Sequence, residues 1–136
     1  MKPPDEVKLE FLRQWVAKAE EDLGAARALF DSEEGYYAAI GFHCQQAVEK
    51  YLKALLTWRQ VEFPKTHDLL QLLSLLSLTD PELVHSLSNI EELTPFGVAM
   101  RYPGDAPEPS RNESQSALHI ADATRTAIIQ TLPDSL

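Results

Sequence analysis

The segment that most constrains this chain is Phe42-His43-Cys44-Gln45-Gln46-Ala47-Val48-Glu49-Lys50-Tyr51-Leu52-Lys53-Ala54-Leu55-Leu56. It contains no Pro and no Gly and is rich in helix formers, so Tyr36 to Trp58 around it reads as one long helix. At about 100° per residue, Tyr37, Ile40, Cys44, Val48, Tyr51, Leu52 and Leu55 fall on one side and form a core face. Nearly opposite lies a second stripe of His43, Gln46, Lys50 and Thr57, interleaved with Ala39, Ala47 and Ala54. Small residues beside His and Gln point to a second backbone passing close by, which would put this helix at the centre of a bundle, covered on two sides. A mixed solvent face is the alternative.

The remaining segments supply neighbours for that helix. Asp5 to Phe30 carries Leu12, Val16, Ala19, Leu23, Ala26 and Phe30 at alternating three- and four-residue spacing, a narrow stripe suited to one helix groove. Lys18, Glu21 and Asp22 fall off that stripe and read as a solvated charged face. Asp31-Ser32-Glu33-Glu34-Gly35 turns the chain, and so short a connection makes the first two helices antiparallel neighbours. After Arg59, Pro64 disfavours helix at Phe63, and Thr66 reads as the N-cap of a short, leucine-rich third helix, with Asp68 at its positive end. Thr79-Asp80-Pro81-Glu82 supplies an N-cap, with Pro81 at the first helical position, and starts a fourth helix running to about Leu93. Thr94 to Ser110 holds four prolines and two glycines and reads as a long loop. Ser110-Arg111-Asn112-Glu113 is a capping box opening a last helix to about Thr131, with Ala117, Ile120, Ala121, Thr124, Ile128 and Leu132 inward and His119 outward. The expectation is one all-α domain over residues 1–136, an up-and-down bundle of four to five helices around a long central second helix.

Composition narrows the functions open to such a bundle. Twelve Lys and Arg against 21 Asp and Glu give a formal charge of −9, which disfavours generic duplex DNA binding. A compact cationic site around Lys50, Lys53, Lys65, Arg101 or Arg111 stays open, because distant charge is screened beyond about 10 Å. The single cysteine, Cys44, cannot form an internal disulfide and lies on the core face, which suits a structural thiol in a reducing cytoplasm. No apolar run reaches the roughly 20 residues of a membrane span, and the N-terminus has no apolar signal region.

The four histidines, His43, His67, His85 and His119, include no i,i+4 pair, so metal-ligand spacing is absent and no metal or cofactor is expected. Phosphate-loop and nucleophile-elbow motifs are missing as well. What remains is a dispersed polar set. It comprises His43, Gln46 and Lys50 on the central helix, Lys65, His67 and Asp68 at the start of the third, and Arg101 with Tyr102 in the late loop. Were these to converge, they would suit an anion or nucleotide, with Arg and Lys on phosphate, His moving a proton and Tyr stacking. Competing structural roles stand beside that reading. Arg101 could bond helix C-terminal carbonyls, Thr66 and Asp68 have capping work, and His43, Gln46, Thr66, His67 and Asp68 could form a network joining helices two and three.

Three ordered blocks resemble the signatures of a known family. Phe42 through Leu55, Lys65-Thr66-His67-Asp68-Leu69, and Arg101-Tyr102-Pro103-Gly104-Asp105 are similar to those of the HEPN domain, the higher eukaryote and prokaryote nucleotide-binding domain. The resemblance implies a helical bundle, commonly a homodimer, that recognises a nucleotide or RNA. In prokaryotes it further implies pairing with a minimal nucleotidyltransferase in a toxin–antitoxin-like system. Many members are metal-independent ribonucleases with an Arg followed, after four to six residues, by a His. The nearest candidates here are Arg111 as phosphate stabiliser and His119 as acid or base, and seven residues separate them.

Overall fold

The computed structural model describes residues 4–97, 104 and 107–134, and all of its regular structure is helical. The elements are α1 (Pro4–Asp31), α2 (Tyr37–Trp58), α3 (Leu69–Leu76), α4 (Pro81–Ser86), a 3₁₀ segment η1 (Ser88–Gly97) and α5 (Arg111–Thr131). Six helical pieces thus stand where four to five were expected, because the fourth is broken in two. The bundle itself follows from the stripes seen in the sequence: α1, α2 and α5 are long, and α2 packs against α1, α5, α3 and η1.

The central position of α2 shows in its burial. Ile40, Cys44, Ala47, Val48, Tyr51, Leu52, Ala54, Leu55 and Leu56 have no exposed surface at all. Ala47 and Ala54, on the predicted second stripe, are as buried as the core face, so the helix is covered on both sides. From α1 come Leu12, Ala19, Leu23 and Ala26, all at most 1% exposed. From α5 come Ala117, Ile120, Ala121, Thr124 and Ile128. Gly35, at φ +83°, makes the left-handed step that lets α1 and α2 turn back on each other.

Polar ties between α1 and its neighbours fix their register. Glu20 accepts from the Tyr51 hydroxyl at 2.6 Å and from Arg125 Nε at 2.6 Å, joining α1, α2 and α5 at one carboxylate. Arg27 on α1 pairs with Asp122 on α5. Asp22 accepts from His43 Nδ1 at 2.9 Å and from Lys50 Nζ. Asp22 is therefore not part of a free charged face, as its position off the apolar stripe implied; it faces α2, with its side chain 14% exposed. Lys18 and Glu21 are exposed as expected.

Two further differences have local causes. The cap of α3 is Asp68, whose carboxylate accepts from the amides of Leu70 and Gln71, while the Thr66 hydroxyl accepts from the Asp68 amide one step earlier. The fourth helix stops at Ser86, where Leu87 leaves helical geometry (φ −103°, ψ 22°). The Ser86 hydroxyl bonds the Leu83 carbonyl at 2.7 Å, and Ser88 and Asn89 follow, residue types that compete with the α-helical ladder. The chain then continues as η1 to Gly97, so Thr94 to Gly97, expected as loop, is helical. The predicted caps elsewhere fare unevenly. Ser110 and Glu113 form both bonds of a capping box, at 3.1 and 3.0 Å. Asp80 instead turns its carboxylate to Arg59 Nε and a terminal guanidinium nitrogen, at 2.9 and 2.8 Å, and ties the end of α2 to the start of α4.

Candidate functional site

A stripe of polar residues runs along α2 through layers that are otherwise apolar. Gln45, Glu49 and Lys53, four residues apart and hence on one face, are 2%, 2% and 6% exposed. Each has a partner that accounts for its burial. The Glu49 carboxylate accepts from Lys53 Nζ at 3.1 Å through one oxygen and meets His67 Nδ1 at 2.8 Å through the other. The Lys53 ammonium lies 5.5 Å from the Trp15 ring and 5.9 Å from the Phe63 ring, a position where aromatic faces help to hold a desolvated cation. Gln45 donates to the His67 carbonyl at 3.2 Å and accepts from Gln46 at 2.8 Å. Among the described residues no fully buried side-chain polar atom lacks a hydrogen-bond partner.

The imidazole of His67 is the outward end of this network. Its side chain is 76% exposed although Glu49, to which it bonds, is 3% exposed. The ring borders a cleft of about 410 Å³ whose walls include Gln45 from α2, Asp68 and Leu70 from the start of α3, and Thr94 and Gly97 from η1. Gly97 lets η1 approach α2, since a Cβ there would stand 3.3 Å from the Gln45 amide. The cleft is a junction of three elements, each needed to close one side.

Of the sequence-derived residues, only some meet at this junction. His67, with Gln46 through Gln45, belongs to the cleft network. His43 and Lys50 are held further along α1 by Asp22. Lys65 is exposed in the linker before α3, and Arg101 and Tyr102 lie outside the described residues. Arg111 and His119 are eight residues apart on α5, about 12 Å along its axis. The Arg111 guanidinium stacks 4.6 Å from the Phe30 ring, and His119 is exposed on the outer side.

Cys44 is fully buried, and desolvation, followed by the nearby Asp122 charge, pushes its thiol up to about 12. A thiolate nucleophile is not available there. Burial and the bond to Glu20 likewise hold the Tyr51 phenol protonated.

Glu49 and Gln45 escape a reading of the sequence alone, and Lys53, open there to a cationic site, is instead buried against Glu49; charged and amide residues on a helix are ordinarily solvent-facing. The available signal is their spacing. A Gln, a Glu and a Lys at i, i+4 and i+8 within a run otherwise this apolar imply a buried polar seam, and a second helix with groups to satisfy it.

A model of the HEPN domain matches residues 12–130 of this chain, and so spans the whole cleft. No curated protein sequence matches it significantly. Among solved structures, TT1696 from Thermus thermophilus is similar at a TM-score of 0.71 and 25% identity, over 89% of this chain and 98% of that one. ST0689, described as an archaeal HEPN homologue, is similar at a TM-score of 0.67 and 21% identity, over 88% and 96%. The three signature-like blocks, the helical architecture and the extent of the family match agree, and the chain belongs to the HEPN domain family.

Proposed function

We propose that this protein is a nucleotide- or nucleic-acid-recognising helical module whose ligand enters the cleft between α2, the start of α3 and η1. The observation that carries this reading is the exposed imidazole of His67 mounted on the buried Glu49–Lys53 pair at the cleft wall. Placing a titratable ring in solvent on a desolvated ion pair gives little stability, since buried pairs roughly balance their own desolvation. It does give a ring of defined orientation. The cleft volume falls in the range of small-molecule sites, and Gln45 and Thr94 bring further polar groups to it. Gln46, bonded to Gln45, adds a further polar group behind the cleft wall, whereas Lys50 and His43 are paired with Asp22 on another face of α2.

Family membership extends the proposal to assembly: two copies pair, and a minimal nucleotidyltransferase is the partner, in a toxin–antitoxin-like system of the cytoplasm. That no helix among the described residues is long and apolar enough to cross a membrane is compatible with this. A ribonuclease reading has less support, because Arg111 is stacked on Phe30 and stands more than two turns of helix from His119.

Titration calorimetry with a panel of nucleoside mono-, di- and triphosphates tests the proposal. Binding of at least one, weakened about tenfold by His67→Ala, is expected for loss of one ligand hydrogen bond of about 1.4 kcal/mol. No heat with any of them would end the reading.

A further inference from the structure

The protonation pattern of His67 is dictated by its partner. An ionised carboxylate only accepts hydrogen bonds, and one oxygen of Glu49 accepts from the Lys53 ammonium at 3.1 Å. Nδ1, 2.8 Å from the other carboxylate oxygen, must therefore carry the proton. In the neutral ring this leaves Nε2, on the side away from Glu49, as a bare lone pair. The rest of the network holds the ring in that pose: Gln45 fixes the His67 carbonyl, and Gln46 fixes Gln45.

Among the described residues, the surroundings of Nε2 disfavour an anion. Among the described residues the cleft is walled by no Lys or Arg. Among the described residues, the titratable groups beside the ring are Glu49, paired with Lys53 on α2, and Asp68, which keeps a carboxylate at the start of α3. Lys65 lies in the linker two residues before His67. From η1 the walls are Thr94 and Gly97, which do not titrate. Leu70, 45% exposed, adds an apolar surface beside the ring.

We propose that His67 Nε2 is a hydrogen-bond acceptor that Glu49 and Lys53 hold out for a donor on the nucleoside part of the ligand, a base N–H or a ribose hydroxyl, so that the cleft reads the nucleoside and not the phosphate. Glu49 and Lys53 are positioning residues: they act through the imidazole. The inference rests on the nucleotide-recognition reading and adds which part of the ligand is recognised. It sets a direction for pH. Protonation turns Nε2 from acceptor into donor, so affinity for a neutral nucleoside falls in acid, whereas affinity for phosphate would rise.

Long-range ¹H–¹⁵N spectra of the whole chain, with the His67 signals assigned by their loss in His67→Gln, read the tautomer directly. The expected result is a neutral ring protonated at Nδ1, whose Nε2 resonance shifts on adding adenosine and not on adding inorganic phosphate. Glu49→Gln should move the proton to Nε2 and weaken adenosine at least fivefold. Because that variant strands the Lys53 charge, Glu49→Leu combined with Lys53→Met removes the Nδ1 acceptor without a buried unpaired ammonium, and should likewise shift the proton to Nε2 and weaken adenosine. A wild-type ring protonated at Nε2 overturns the inference. So does inorganic phosphate that competes with AMP and binds more tightly in acid, a result that would leave nucleotide recognition standing. Absence of binding by every nucleotide and by adenosine overturns both.

Discussion

At Gly41, α2 lies directly against the Phe96 ring of η1. A Cβ built there would lie 2.0 Å from Phe96 Cδ1 and 2.5 Å from Cγ, so the ring could not escape by turning its tip and would have to move bodily. Alanine gains about 1 kcal/mol of helix propensity over glycine, but overpacking of this kind costs about 1–3 kcal/mol. Gly41→Ala is therefore expected to lower stability by about 1 kcal/mol in denaturant titration, and in a Phe96→Ala background, which removes the clashing atoms, most of that cost should vanish. Equal losses in both backgrounds would show that the Phe96 contact is not the cause. At this scale the sequence was partly legible. His43 and Lys50 could be placed on one stripe of α2, but their shared partner Asp22 could not, because an acid off an apolar stripe looks the same whether it faces water or a neighbour. Likewise Thr66 and Asp68 are both good capping residues two positions apart, and only the entry angle of the chain chooses Asp68.

Between elements, α1 is held to α2 and α5 through Glu20, and this junction gives a pH dependence with a definite sign. Burial alone would raise the Glu20 carboxyl; the hydrogen bonds from Arg125 and Tyr51 outweigh it and hold the group below its ordinary value. A depressed carboxyl contributes stability that is complete above its unfolded pKa, about 4.3, and is lost as pH falls through the lower folded value. Glu20→Gln should therefore melt below wild type near pH 7, and the gap should close progressively as the pH is taken below about 4. A gap that stays constant down to about pH 2 would show that the charge of Glu20 is not what ties α1 to α5. The long helices were legible because periodic burial is a repeated signal: α1, α2 and α5 begin and end within a residue or so of their predicted bounds. The α4–η1 break was not, since Ser86, Ser88 and Asn89 are tolerated in many helices and the interruption depends on how Ile90 and Leu93 must reach the core.

Across the whole molecule, stability is distributed unevenly, and the cleft lies on the boundary. On one side α2 is buried almost without interruption from Cys44 to Leu56; on the other, α4 buries no residue, and η1 buries Ile90 and Leu93. Segments with few buried groups open at lower free energy than the core, so amides of α4 and η1 should exchange with solvent far faster than those of α2. The bundle and its central helix could be read from one-dimensional pattern, whereas the cleft could not, because it exists only where three elements separated in sequence meet. A ligand that requires this meeting must stabilise the weaker walls. With a nucleotide at about 100 times its Kd, linkage adds about 2.7 kcal/mol to any opening that destroys the site, which slows exchange about a hundredfold. Hydrogen exchange is expected to show that slowing across His67 to Gln71 and Thr94 to Gly97, with the first turns of α1 and α5 unchanged. Protection concentrated instead at Asn112, Ser116 and Glu92 would place the ligand in the separate groove of about 380 Å³ between η1 and α5, and His67 would then have no part in binding it.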